Sequence, residues 1–139
     1  MAIMFPLEIH TPYRLFFSDS VLAFSLTLID GEIAVYANHV PFTAPVIPCI
    51  LRIKDKDEVW KTAFISEGIL EVGEQKAILI SDDAEWPDEI NYERAIASKE
   101  RAEQTLEHIM LKFEKTTALS ALQRANARIK VYEQADKKK

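Results

Sequence analysis

Four arginines in the C-terminal part of the chain have the types and spacing for ligand chemistry. Arg124 and Arg128 are four residues apart, one turn along a helix face, while Arg94 and Arg101 are seven apart, close to two turns along another. Each guanidinium presents a rigid fork of donors suited to phosphate oxygens, so two helices that brought the four together would make a site for an anion such as a nucleotide. In an alanine-rich helix the same residues also read as exposed salt-bridge partners for carboxylates such as Glu100 and Glu103. Spacing alone leaves both readings open.

No other residues suggest catalysis. His10, His39 and His108 have no second His or Cys at metal-ligand spacing, and nothing joins a Ser or Cys nucleophile to a base. No Gly-Lys pair exists, which excludes a phosphate-cradling P-loop. The acidic run from Asp82 to Glu89 lacks the spaced ligands and central glycine of a cation loop and reads as a solvated connector. His39 reads either as a loop histidine bonded to nearby backbone or as a contact with a partner. The single cysteine, Cys49, cannot form an internal disulfide or a paired-cysteine metal site, and it fits a reducing compartment. The chain is therefore expected to be non-catalytic, with no metal.

The elements that must position these residues follow from punctuation. All three Gly and all six Pro lie at or before Pro87, and the last 52 residues contain neither. Glycine permits positive φ and proline removes a backbone donor, so the first part is turn-rich and the second can be continuous helix. This divides the chain into 1–87 and 88–139.

In the first part, β-branched and aromatic runs recur between turn signals: 7–9, 21–29, 32–36, 50–54, 59–65, 69–72 and 76–80. That spacing predicts an all-β sandwich. Hairpin turns are expected at Asp30-Gly31, Asp55-Lys56-Asp57 and Gly73-Glu74-Gln75. Pro41, Pro45 and Pro48 predict an irregular edge or loop over 38–49. In the second part, one helical stripe runs Ala95, Ser98, Ala102, Leu106, Ile109 and another runs Ala118, Ala121, Leu122, Ala125, Ile129, Tyr132. The expected architecture is α+β: a sandwich followed by an antiparallel two-helix hairpin. Such small side chains remove little apolar area, at about 25 cal/mol per Å², so the hairpin should be only marginally held and able to exchange arrangements.

The chain has 139 residues, 48% apolar and 28% charged, with a net charge of −5 that hides an asymmetry. Residues 1–110 carry 9 Lys and Arg against 19 Asp and Glu, whereas residues 111–139 carry 8 against 3. The basic end suits an acidic partner surface. Overall acidity and the lack of aromatics between the basic residues argue against nucleic acid. Every apolar run is shorter than the roughly 18 residues needed to cross a bilayer, and the N-terminus lacks the charged and apolar regions of a signal peptide, so neither membrane insertion nor secretion is expected.

Taken in order, these features resemble the epsilon subunit of bacterial F-type ATP synthases. The resemblance rests on Gly31-Glu32-Ile33-Ala34-Val35-Tyr36-Ala37-Asn38-His39-Val40-Pro41-Phe42, Ile50-Leu51-Arg52-Ile53, Ser66-Glu67-Gly68-Ile69-Leu70-Glu71-Val72, and the Arg94-Ala95 and Arg101-Ala102-Glu103 helix. It implies a non-catalytic subunit of the rotary motor, peripheral on the cytoplasmic face of the bacterial cell membrane. Its sandwich would bind the gamma subunit and the c-ring, with Glu32 and His39 in that region. Its helices would reach the alpha/beta catalytic head, oppose ATP hydrolysis, and otherwise fold against the sandwich. The left-handed turn that relatives build with Pro-Gly before His is expected to survive with Asn38. Cys49 and Glu67 each stand where relatives carry Gly.

Some relatives bind ATP on the folded hairpin through Ile or Leu, Asp, two variable residues and Arg-Ala, with further arginines on the second helix. The matching stretch is Ile90-Asn91-Tyr92-Glu93-Arg94-Ala95, with Arg101, Arg124 and Arg128 also present. Asn91 replaces the carboxylate. The phosphate-facing half is kept and the other half altered, so ATP is expected to be at most a weak regulatory ligand, and no cofactor is required. The competing reading is a free-standing nucleotide-sensing module with the same fold.

Overall fold

A computed structural model describes residues 3–108 and 112–136. Ile109, the end of the first predicted stripe, lies outside the described residues. Ten strands come first: β1 (Phe5–His10), β2 (Leu15–Val21), β3 (Ala23–Leu28), β4 (Gly31–Tyr36), β5 (Phe42–Val46), β6 (Cys49–Lys54), β7 (Trp60–Ile65), β8 (Gly68–Val72), β9 (Ala77–Ser81) and β10 (Ala84–Glu85). A 3-10 turn, Pro87–Glu89, leads into helices α1 (Tyr92–His108) and α2 (Lys112–Asp136). The hydrogen-bonded order is β10-β7-β6-β3-β5-β8-β9-β1-β2, with β4 also on β3. β3 meets β5 at the single pair Leu28–Val46, so two layers join at one corner. Leu7, Leu26, Leu51, Ile65, Leu70 and Leu79, from both layers, share one core as alternating inward residues of a sandwich do.

Three local features differ from expectation. The run 21–29 begins where β2 ends, and β2 itself hides behind Ser18, Asp19 and Ser20, exposed polar residues of an edge strand. The proline-rich segment forms β5, with Pro45 in register opposite Ile69 of β8. β5 is paired along its length only to β8, which leaves room for a residue without an N–H. The connector is no solvated spacer: Ala84 and Glu85 pair with β7, and Trp86 stacks on Phe16 at 4.4 Å.

The two helices form the expected hairpin. α1 packs on α2, and α2 carries the contact with β6, β7 and the 3-10 turn. Ala95 and Ala102 of α1 are buried, as are Ala118 and Ala125 of α2, so the stripes meet through small side chains. Tyr92 stacks on Tyr132 at 4.5 Å and donates a hydrogen bond to Glu133. Against the sandwich, Ala127 and Val131 join Phe64 and Ile90 in a second apolar cluster.

Candidate functional site

A cleft of about 410 Å³ lies where the hairpin meets the connector, lined by Asn91, Arg94, Ala95, Arg124 and Arg128 together with Asp83, Glu85 and Glu89. Three of the four predicted arginines therefore converge. Arg101 does not: it lines a neighbouring groove between the helices with Ser98, Ala102 and Glu114. Ile90 points away from the cleft lining and is buried in the cluster with Phe64. Asn91 is the N-cap of α1: its side-chain oxygen accepts the Arg94 backbone N–H at 3.0 Å, and its carbonyl accepts that of Ala95. An amide performs this capping as well as a carboxylate would, without the negative charge.

Among the described residues the four arginines do not pair with Glu100 or Glu103, and the partners that Arg124 and Arg128 have come from the sandwich and connector. Arg128 donates through Nε to Glu85 at 2.7 Å and through Nη2 to Asp83 at 3.0 Å, and its guanidinium lies 4.2 Å from the centre of the fully buried Phe64 ring. That combines charge pairing with a cation–π contact. Arg124 donates through one nitrogen to both oxygens of Glu67, at 3.1 and 3.2 Å. Burial pushes the Glu67 carboxyl up, but hydrogen bonds from Ser66, its own backbone and Arg124 outweigh that and leave it below the ordinary value. Arg14 holds Glu89 with two bonds of 2.8 Å, and these keep the Glu89 carboxyl low as well. Arg94 is exposed and makes no side-chain ion pair among the described residues. With three carboxylates facing three arginines, the lining is close to neutral.

The role of Glu67, Asp83 and Glu85 was not legible in the sequence, because their partners lie 57, 45 and 43 residues away. The signal that existed was the acidic first part and basic end. That signal suggests an external acidic surface, and part of the basic charge instead meets its own sandwich.

Glu32 and His39 lie at opposite ends of β4 and form no common site. Glu32 is exposed beside the β3–β4 turn, where Gly31 has φ 133°, and it sits 3.5 Å from Arg52. His39 follows Asn38, whose φ of 65° is the expected left-handed turn. Its Nδ1 is 3.0 Å from the Val40 carbonyl, and its ring is 5.2 Å from Phe42. The layer of β5, β8, β9, β1 and β2 presents a row of residues in register on its outer face: Pro45, Ile69, Ile80, His10 and Leu15. Ile69 and Ile80 are 55% and 58% exposed and face each other in register, so they form an exposed apolar strip on this layer. Among the described residues no helix is long and apolar enough to cross a membrane, and no three His, Cys, Asp or Glu side chains converge as a metal site.

Comparison with known proteins follows the same two-part division. The ATP synthase delta/epsilon chain beta-sandwich domain model matches residues 4–87, and the delta/epsilon chain long alpha-helix domain model matches residues 88–133. The ATP synthase epsilon chain of Caldicellulosiruptor bescii is 45% identical over 130 residues, 94% of each chain. That of Caldanaerobacter subterraneus subsp. tengcongensis is 43% identical over 128 residues, 91% of this chain and 92% of the other. A chain in the structure of the Euglena gracilis mitochondrial ATP synthase shares the fold, with a TM-score of 0.79 at 19% identity over 95% of this chain and 81% of that one.

Proposed function

The chain belongs to the ATP synthase delta/epsilon family, and from that premise we propose that it is a non-catalytic epsilon-type subunit of the central stalk, coupling ion-driven c-ring rotation to ATP synthesis. Residues 1–87 act as the docking unit and residues 88–139 as a mobile arm. In this reading the outer strip of Ile69 and Ile80 meets the gamma subunit, His39 extends that contact, and Glu32 at the β3–β4 turn meets the c-ring. The whole assembly is peripheral on the cytoplasmic face of the bacterial cell membrane.

The observation that carries the regulatory half is the character of the hairpin contact. α1 and α2 meet through alanines and one Tyr92–Tyr132 stack, and α2 touches the sandwich through Ala127, Val131, the Arg128–Phe64 contact and three partly exposed ion pairs. Small apolar contacts and partly exposed ion pairs are weak individually, so an arrangement extended toward the alpha/beta head is within reach of a modest binding energy. The basic residues of α2 would then face acidic surface on that head and oppose ATP hydrolysis. Removing the residues after Asp88 should leave the subunit in the complex and raise ATP hydrolysis. Unchanged hydrolysis in the truncated complex defeats the inhibitory role.

ATP is a weak regulatory ligand of the folded hairpin in this reading. Arg94, Arg124 and Arg128 support phosphate contact, whereas the near-neutral lining and the use of Asn91 as a cap argue for low affinity. Calorimetric titration of the isolated chain should give an affinity weaker than micromolar, and a tighter value overturns the estimate.

A further inference from the structure

Glu67 stands on a stiff turn. Its neighbour Gly68 is packed so closely on β9 that an added Cβ would lie 2.1 Å from the Ile80 carbonyl oxygen. The buried Ser81 hydroxyl donates its single proton to the Asp83 carbonyl at 2.8 Å, with the Ser66 carbonyl 3.1 Å away, and fixes the turn from below. Ser66 donates to the Glu67 carboxylate at 2.8 Å, so its charge is aimed before any partner arrives. The partner is Arg124, which also lines the cleft with Arg94 and Arg128. Among the described residues, the three ion pairs that join body to arm, Glu67–Arg124, Asp83–Arg128 and Glu85–Arg128, each take the carboxylate from the sandwich side and the arginine from α2. The two α2 arginines that face the sandwich thus each have carboxylate partners in the folded hairpin, whereas Arg94 has none among the described residues.

We propose that Glu67 is a built-in counter-ligand: it occupies Arg124, holds the hairpin on the sandwich without a nucleotide, and has to be displaced by an incoming polyphosphate. The geometry favours competition over cooperation, because the carboxylate already takes Arg124 Nη1 and a phosphate brought to the remaining Nε and Nη2 donors would place a second anion beside it on the same guanidinium. The inference rests on the mobile-hairpin reading above.

The test is amide hydrogen exchange on the full chain without nucleotide, comparing α2 from Ala118 to Val131 with β6 as an internal reference. Glu67→Gln keeps the shape and removes the charge. It should lower protection of α2 by about two- to fivefold, the range of a partly exposed charged pair, while β6 is unchanged. Arg124→Gln should do the same, and the double variant should lose no more than either single one. Glu71→Gln, an exposed carboxylate on β8, is the control and should change nothing. If α2 is less protected than β6 but equally so in wild type and Glu67→Gln, the counter-ligand is refuted while the mobile hairpin stands. If α2 is as protected as β6 in every protein, the mobile hairpin itself is refuted. ATP titrations carry the second half: tighter binding by Glu67→Gln than by wild type supports displacement, and equal, weaker or absent binding in both overturns it.

Discussion

Gly68 shows how much a single residue decides. A methyl group there would meet the Ile80 carbonyl oxygen at 2.1 Å and the Ser81 Cα at 2.9 Å, and both are backbone atoms that cannot swing aside. Gly68→Ala should therefore destabilise the sandwich by about 1–3 kcal/mol, read as a lower urea midpoint with an unchanged slope. Asn38 is the opposite case. A left-handed backbone at φ 65° is tolerated by Asn because its short polar side chain bonds locally, so the turn before His39 survives without glycine. Asn91 likewise replaces a carboxylate without losing the cap of α1.

Charge pairing at the level of the helix makes the hairpin pH-sensitive in a defined direction. The Glu67 carboxyl is lowered in the folded chain from an ordinary value of 4.5. A depressed carboxyl contributes stability that is complete above its unfolded value and is lost as pH falls through the lower folded value. Acidification below about pH 4.5 should therefore loosen α2 before the strands melt, with hydrogen exchange of α2 against β6 as the readout. Asp83 and Glu85 face Arg128 on the same helix in every variant, so the Glu67 contribution is the difference between wild type and Glu67→Gln. An identical acid profile in the two proteins would remove Glu67 from the account.

The whole molecule separates its two tasks by surface. α2 covers one layer of the sandwich at Phe64 and Ile50, and the outer strip of Ile69 and Ile80 belongs to the other layer. In the proposed reading the arm therefore moves without disturbing the shaft contact. Ile69→Lys with Ile80→Glu places opposite charges at two exposed positions that face each other across β8 and β9, so the chain's own stability should change by about 1 kcal/mol or less per site. Incorporation into the complex with the gamma subunit should fall sharply. Normal co-purification of this variant would move the docking face elsewhere.

Local signals carried a large part of this description. Turn residues, alternating apolar runs and the absence of Gly and Pro after position 87 are properties of short stretches, and they determined a sandwich followed by two helices. β2 and β5 escaped because an edge strand tolerates Ser and Asp, and a strand open on one side tolerates Pro, so their composition mimics loops. The arginine spacing was local as well, and it correctly brought Arg124 and Arg128 to one face. Which carboxylates those arginines meet was decided only in three dimensions. Glu67, Asp83 and Glu85 are adjacent to α2 because β7, the turn after it and β10 are folded together beneath the helix, and electrostatic pairing depends on distance in space, not on position along the chain.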